Sequence, residues 1–208
     1  MGWRELLASP DWRLVALCSL ANFINAADRV IMPVAILGLA REHGYSLHQQ
    51  GWVLSAFPAG YISSQIVGSC AGRQFGSWRL LFCVVLMWSA ATLLTPLVAG
   101  SLHLLILTRV ILGLGEGLGL PTIYTLFSDV ITPEHRSRAF GYLAAAGSVG
   151  QTMAAFVSPH FAWELSFLIC GGLGFAWCAV WFLNRADPSL TLPSNAPPKQ
   201  VTLNLCCK

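Results

Sequence analysis

The chain has 208 residues, 55% of them hydrophobic and 10% charged, with a net charge of +3. Soluble domains carry about 25% charged residues, so this composition excludes an ordinary water-soluble globule. The small, scattered positive charge forms no basic run and excludes a nucleic-acid partner, and the seven cysteines show neither a CxxC pair nor a Cys/His ligand spacing.

A bilayer core of about 30 Å takes roughly 20 apolar residues in helix. Six segments are apolar over such a length: 13–39, 51–71, 79–99, 103–126, 139–158 and 165–183. None shows the alternation of a β-barrel, so the expected class is an all-α membrane protein, a six-helix transmembrane bundle over residues 13–183. Residues 1–12 are a short N-terminal segment, and 184–208, rich in proline and polar residues, are expected to be a disordered tail. The first apolar stretch is too long, and too charged in its middle, for a signal-peptide core of about 7–15 residues. If both termini and the even-numbered loops share one side, that side holds nine Lys and Arg residues and the other only Arg41. That bias predicts both termini in the cytoplasm.

In the first helix Asn22, Asn25 and Arg29 fall in a sector of about 60°, with Asp28 on its flank. The second carries Tyr61 and Gln65 one turn apart. The fourth contains RVILGLGEGLGLP, residues 109–121, in which Arg109 and Glu116 share a face within about 20°. Their separation along the axis is about 10.5 Å, too far for an easy direct pair. Glycines 113, 115, 117 and 119 alternate around the glutamate. Alternation builds no single small face, so we expect a helix thinned all round. The fifth helix offers Gly147, Gly150 and Gln151, but its GSVG stretch lacks the GxSG pattern of an intramembrane protease. No enzyme is expected.

An ionisable residue at the bilayer centre costs roughly 2.5–3.5 kcal/mol and by default faces protein or water. Two guanidinium groups, Arg29 and Arg109, with asparagine amides nearby suit a carboxylate or phosphate, which arginine holds through paired hydrogen bonds. Asn25, Tyr61 and Gln65 complete the expected solute site. A buried carboxyl such as Glu116, with Asp28 beside it, is the usual carrier of a proton.

The loop GSCAGRQFGSWR resembles the signature between the second and third helices of the major facilitator superfamily, and PEHRSRAFG after the fourth helix is related to it. ADRVIMPVAI, SAFPAGYISSQIVG and RVILGLGEGLGLP together are similar to the anion:cation symporter branch. The resemblance implies solute-anion roles for Arg29 and Arg109, a proton-linked role for Glu116, and a gating loop formed by Arg73, Gly76, Arg79, Arg136 and Arg138. It implies coupling to H⁺ or Na⁺ with no further cofactor. Two departures stand out. Gly72 replaces the usual signature aspartate, and Leu54 stands where glutamate carriers have a histidine.

Carriers of this kind have two six-helix halves around a midplane site. A lone half exposing its charges to lipid would incur roughly 10 kcal/mol. We therefore expect a truncated half of a twelve-helix carrier of small anions, pairing with a second half or with a copy of itself. The alternative is a non-transporting membrane protein that associates with a full-length carrier.

Overall fold

A computed structural model describes residues 10–184, with side chains described over 12–65 and 76–184. The expected N-terminal segment and tail, and the side chain of Arg73, lie outside the described residues. Six long helices follow one another: α1 (Pro10–His43), α2 (Leu47–Phe75), α3 (Ser77–Val98), α4 (Leu102–Val130), α5 (Pro133–Val157) and α6 (Trp163–Leu183). Each covers one of the six apolar segments to within one residue. Most run past those segments because polar residues extend a helix beyond the hydrocarbon layer at no desolvation cost.

Most connections are shorter than the gaps between the apolar segments. Only Gly76 separates α2 from α3, and its φ of 81° lies in the left-handed region that glycine adopts without strain. Only Ile131 and Thr132 separate α4 from α5. Helix α2 starts with a capping box in which Ser46 Oγ accepts from the Gln49 amide and the Gln49 side chain accepts from the Ser46 amide at 2.8 Å.

Among the described residues four helices, α1, α3, α4 and α6, are long and apolar enough to cross a membrane. The other two, α2 and α5, have the length, at 29 and 25 residues, but are more polar in their described parts. They lie alongside apolar partners, α2 along α4 and α5 along α1. Helix α3 joins α4 to α6, and α6 returns to α1. The bundle is thus an arc in the order α2, α4, α3, α6, α1, α5. Exchanging α1 with α4, α2 with α5 and α3 with α6 leaves that order of neighbours intact, the pattern of two three-helix repeats. Tryptophans close the α3–α6–α1 side: Trp78 stacks on Trp181 at 3.8 Å, and Trp177 Nε1 donates to the Leu17 carbonyl at 2.8 Å.

The alternating glycines of α4 do more than thin the helix. Gly113 and Gly117 meet the backbone of α2, where an added methyl would strike the Phe57 and Tyr61 carbonyls. Gly115 and Gly119 face Met87 and Trp88 of α3. Offset by two residues, the pairs form two small-residue faces at i and i+4, one for each neighbour. On α5, Gly150 rests on the Phe23 carbonyl of α1 in the same way.

The contrast with open glycines gives a stability test. Gly113→Ala drives a methyl into the Phe57 carbonyl and is expected to destabilise by about 1–3 kcal/mol. Gly172→Ala on α6, where nothing lies within 4 Å, is expected to stabilise slightly through helix propensity. Thermal unfolding of the two variants in detergent compares them directly.

Candidate functional site

The polar face of α1 is split between two tasks. Asn22 Nδ2 donates to the Leu143 carbonyl at 2.8 Å and so fastens α5. One turn later Asn25 Oδ1 accepts from Arg29 at 2.7 Å. Arg29 Nε then reaches Glu116 Oε2 of α4 at 2.9 Å, and its guanidinium lies 4.5 Å from the centre of the Tyr61 ring of α2. The glutamate therefore pairs across helices, not with Arg109 of its own helix. This agrees with the awkward 10.5 Å rise estimated from the sequence.

Arg109 is 1% exposed and Glu116 fully buried. The Arg109 guanidinium donates to Thr95 Oγ1 of α3 and lies 5.1 Å from the Phe167 ring of α6. Thr95 spends its own proton on the Ala91 carbonyl at 2.9 Å, which leaves its lone pairs for the arginine. Asp28 is also buried, and its Oδ2 accepts from Thr92 Oγ1. Thus α3, one turn apart, supplies a donor to the acid of α1 and an acceptor to the base of α4.

Asp28, Arg29 and Arg109 all line one cavity of about 230 Å³ between α1, α2 and α4. Met32 and Pro33 of α1 and Leu112 of α4 form part of its wall. Val53, Leu54, Phe57 and Pro58 of α2 form the rest. Asp28 Oδ1, Arg109 Nε, Glu116 Oε1 and Asn25 Nδ2 make no hydrogen bond among the described residues. Buried polar atoms are rarely left so.

The structure thus brings Asp28, Arg29, Arg109, Glu116, Asn25 and Tyr61 together. Gln65 is exposed on α2 and is not among the lining residues. Of the residues expected in a gating loop, Gly76 is the α2–α3 link. Arg136 lies in the first turns of α5 and donates to the Ile131 and Ser128 carbonyls at 2.9 and 2.7 Å, closing the C-terminal end of α4. Arg79 and Arg138 are exposed within α3 and α5. Sequence reasoning missed Thr92, Thr95 and Phe167. The two threonines were visible as polar residues within an apolar span, but nothing in the spacing said which charges they would meet.

Residues 18–205 match the Major Facilitator Superfamily. This chain belongs to that superfamily. It is an integral, multi-pass membrane protein. A sodium-dependent phosphate transport protein of Arabidopsis thaliana is 32% identical over 203 residues, which is 95% of this chain and 39% of that protein. An ascorbate transporter from the same plant is 32% identical, with 92% of this chain and 39% of that protein covered. A bacterial homologue of the human lysosomal transporter Spinster superposes with a TM-score of 0.74 at 20% identity, over 93% of this chain and 47% of that one. A proton:xylose symporter superposes with a TM-score of 0.71 at 13% identity, over 83% and 44% of the two chains. The chain spans less than half the length of each of these proteins.

The Arg29–Glu116 pair gives a clear cycle. Removing one partner of a buried pair costs about 3–5 kcal/mol. Arg29→Met strands the fully buried glutamate and is expected to reach that range. Glu116→Gln strands an arginine side chain that is 26% exposed and is expected to cost less. The double variant is expected to recover much of the loss, as read from unfolding midpoints in detergent.

Proposed function

We propose that this chain forms the anion-binding half of a secondary carrier that moves small anions across a membrane by ion-coupled alternating access. The observation that carries the reading is that Arg29 and Arg109 line one cavity while Glu116, within the same cluster, holds Arg29 by an ion pair.

The chemistry follows from competition for Arg29. While Glu116 is ionised it occupies the Nε edge of that guanidinium. A proton arriving on the carboxylate cancels its charge, weakens the pair and frees Arg29 for a solute anion. Arg109 makes its close contacts with Thr95 and Phe167, so protonation of Glu116 breaks no direct ion pair of Arg109. Proton and anion thereby favour one another, as coupled binding requires. Transport follows if this bundle rocks against a second bundle around the filled site. Both termini lie in the cytoplasm in this reading, as the nine-to-one loop bias suggests.

Membrane vesicles from cells producing the chain, alone and together with a second six-helix half, given an inward proton gradient, test the proposal with labelled phosphate, ascorbate and monocarboxylates. Uptake of at least one of them is expected, with a loss of tenfold or more in Arg109→Gln and partial retention in Arg29→Lys. Absence of uptake of every anion, or undiminished uptake by Arg109→Gln, overturns the assignment.

A further inference from the structure

We infer that the cavity selects a monovalent organic anion with an apolar body, a small monocarboxylate, over inorganic phosphate or a polyhydroxylated anion. The inference rests on the anion-carrier reading above and narrows its solute.

The wall of the cavity is largely apolar. Among the described residues lining the cavity, only Asp28, Arg29 and Arg109 bring polar side chains. The remaining surface comes from Met32, Val53, Leu54, Phe57 and Leu112, with prolines at positions 33 and 58. Phosphate presents oxygens in every direction. With its charged side against the two arginines, its other oxygens would face hydrocarbon, and an unsatisfied polar group there costs several-fold to many-fold in affinity. The hydroxyls of a sugar-like acid meet the same wall, with no side-chain hydroxyl or amide lining it to answer them. A carboxylate carrying an aliphatic or aromatic body places its single charged end on the guanidiniums and its body on the apolar side.

Charge narrows the solute further. The cluster holds two cations, the half-buried Arg29 and the buried Arg109, and two buried acids, Asp28 and Glu116, so with all four ionised it sums to zero. One proton from solvent, added to one carboxylate, leaves a single positive charge. That matches one negative charge. A divalent anion would need a second proton, or would leave a negative charge uncompensated at a depth where isolated charge is costly.

Size narrows it again. About 230 Å³ is below the roughly 300–1,000 Å³ of pockets for drug-sized ligands, and suits a compact acid such as benzoate or a short branched carboxylate.

The test uses the chain in lipid nanodiscs and isothermal titration with benzoate, its neutral counterpart benzamide, inorganic phosphate and ascorbate. Benzoate is expected to bind at least tenfold tighter than phosphate or ascorbate, and benzamide not to bind. Binding in buffers of different ionisation enthalpy is expected to show about one proton taken up per benzoate. Leu54→Ser is expected to shrink the benzoate preference about tenfold. Phosphate or ascorbate binding as tightly as benzoate, and lost in Arg109→Gln, overturns the solute class and leaves the carrier reading standing. Failure of every anion to bind, or binding indifferent to Arg109→Gln, overturns both. Benzamide binding as tightly as benzoate also overturns the inference, because the body alone would then account for it.

Discussion

Four ionisable side chains sit inside this bundle, and their mutual neutralisation governs how the helices must meet. In hydrocarbon surroundings no charge is stable without a partner or a wet neighbour. Arg109 and Glu116 share a helix face two turns apart and do not answer each other. The charges are instead met between helices: Arg29 of α1 pairs with Glu116 of α4 at 2.9 Å, and α3 hydrogen-bonds Asp28 through Thr92 and Arg109 through Thr95. Electrostatics thus joins helices α1, α3 and α4, and a change of charge at one carboxylate is felt by residues on all three.

Such short contacts require close backbones, which is where the glycines enter. The glycines of α4 give α2 and α3 a small-residue face each, so both approach without displacing the Glu116 side chain that the same segment carries. A larger residue at Gly113 or Gly117 would push α2 away and with it Tyr61, on whose ring Arg29 rests. The glycine pattern and the charge pattern of residues 109–121 are therefore parts of one device: close packing on two sides and a cavity on the third.

Much of this was legible in the sequence, for physical reasons. Periodicity alone placed Arg109 and Glu116 on one face and Asn25 beside Arg29, because the α-helix fixes those angles. Apolar run lengths gave the six helices, because bilayer thickness fixes them. What was not legible depends on tertiary neighbours. Asn22 looked like a member of the site stripe, yet it fastens α5 through the Leu143 carbonyl. Arg136 read as a loop residue, yet it closes the end of α4. The glycine alternation resolved into two faces only once α2 and α3 were in place. Spacing tells which residues share a face; it does not tell which helix that face meets.

The near-symmetry of the two three-helix repeats sharpens the functional argument. Each repeat contributes one arginine and one acid, Arg29 with Asp28 from the first and Arg109 with Glu116 from the second. The surroundings break the equivalence. Arg109 is almost wholly enclosed and anchored by a hydroxyl and an aromatic ring, neither of which changes charge. Arg29 is partly exposed and anchored by a carboxylate, whose charge a proton removes. In the proposed carrier one guanidinium would be a permanent anchor for an anion and the other a conditional one. Two permanent anchors would hold an anion without regard to protons, and two conditional ones would give the unprotonated state no foothold for a solute. Under the proposal an unequal pair would make tight anion binding depend on a proton while keeping a fixed point of entry, which is the property an ion-coupled carrier needs from its binding half.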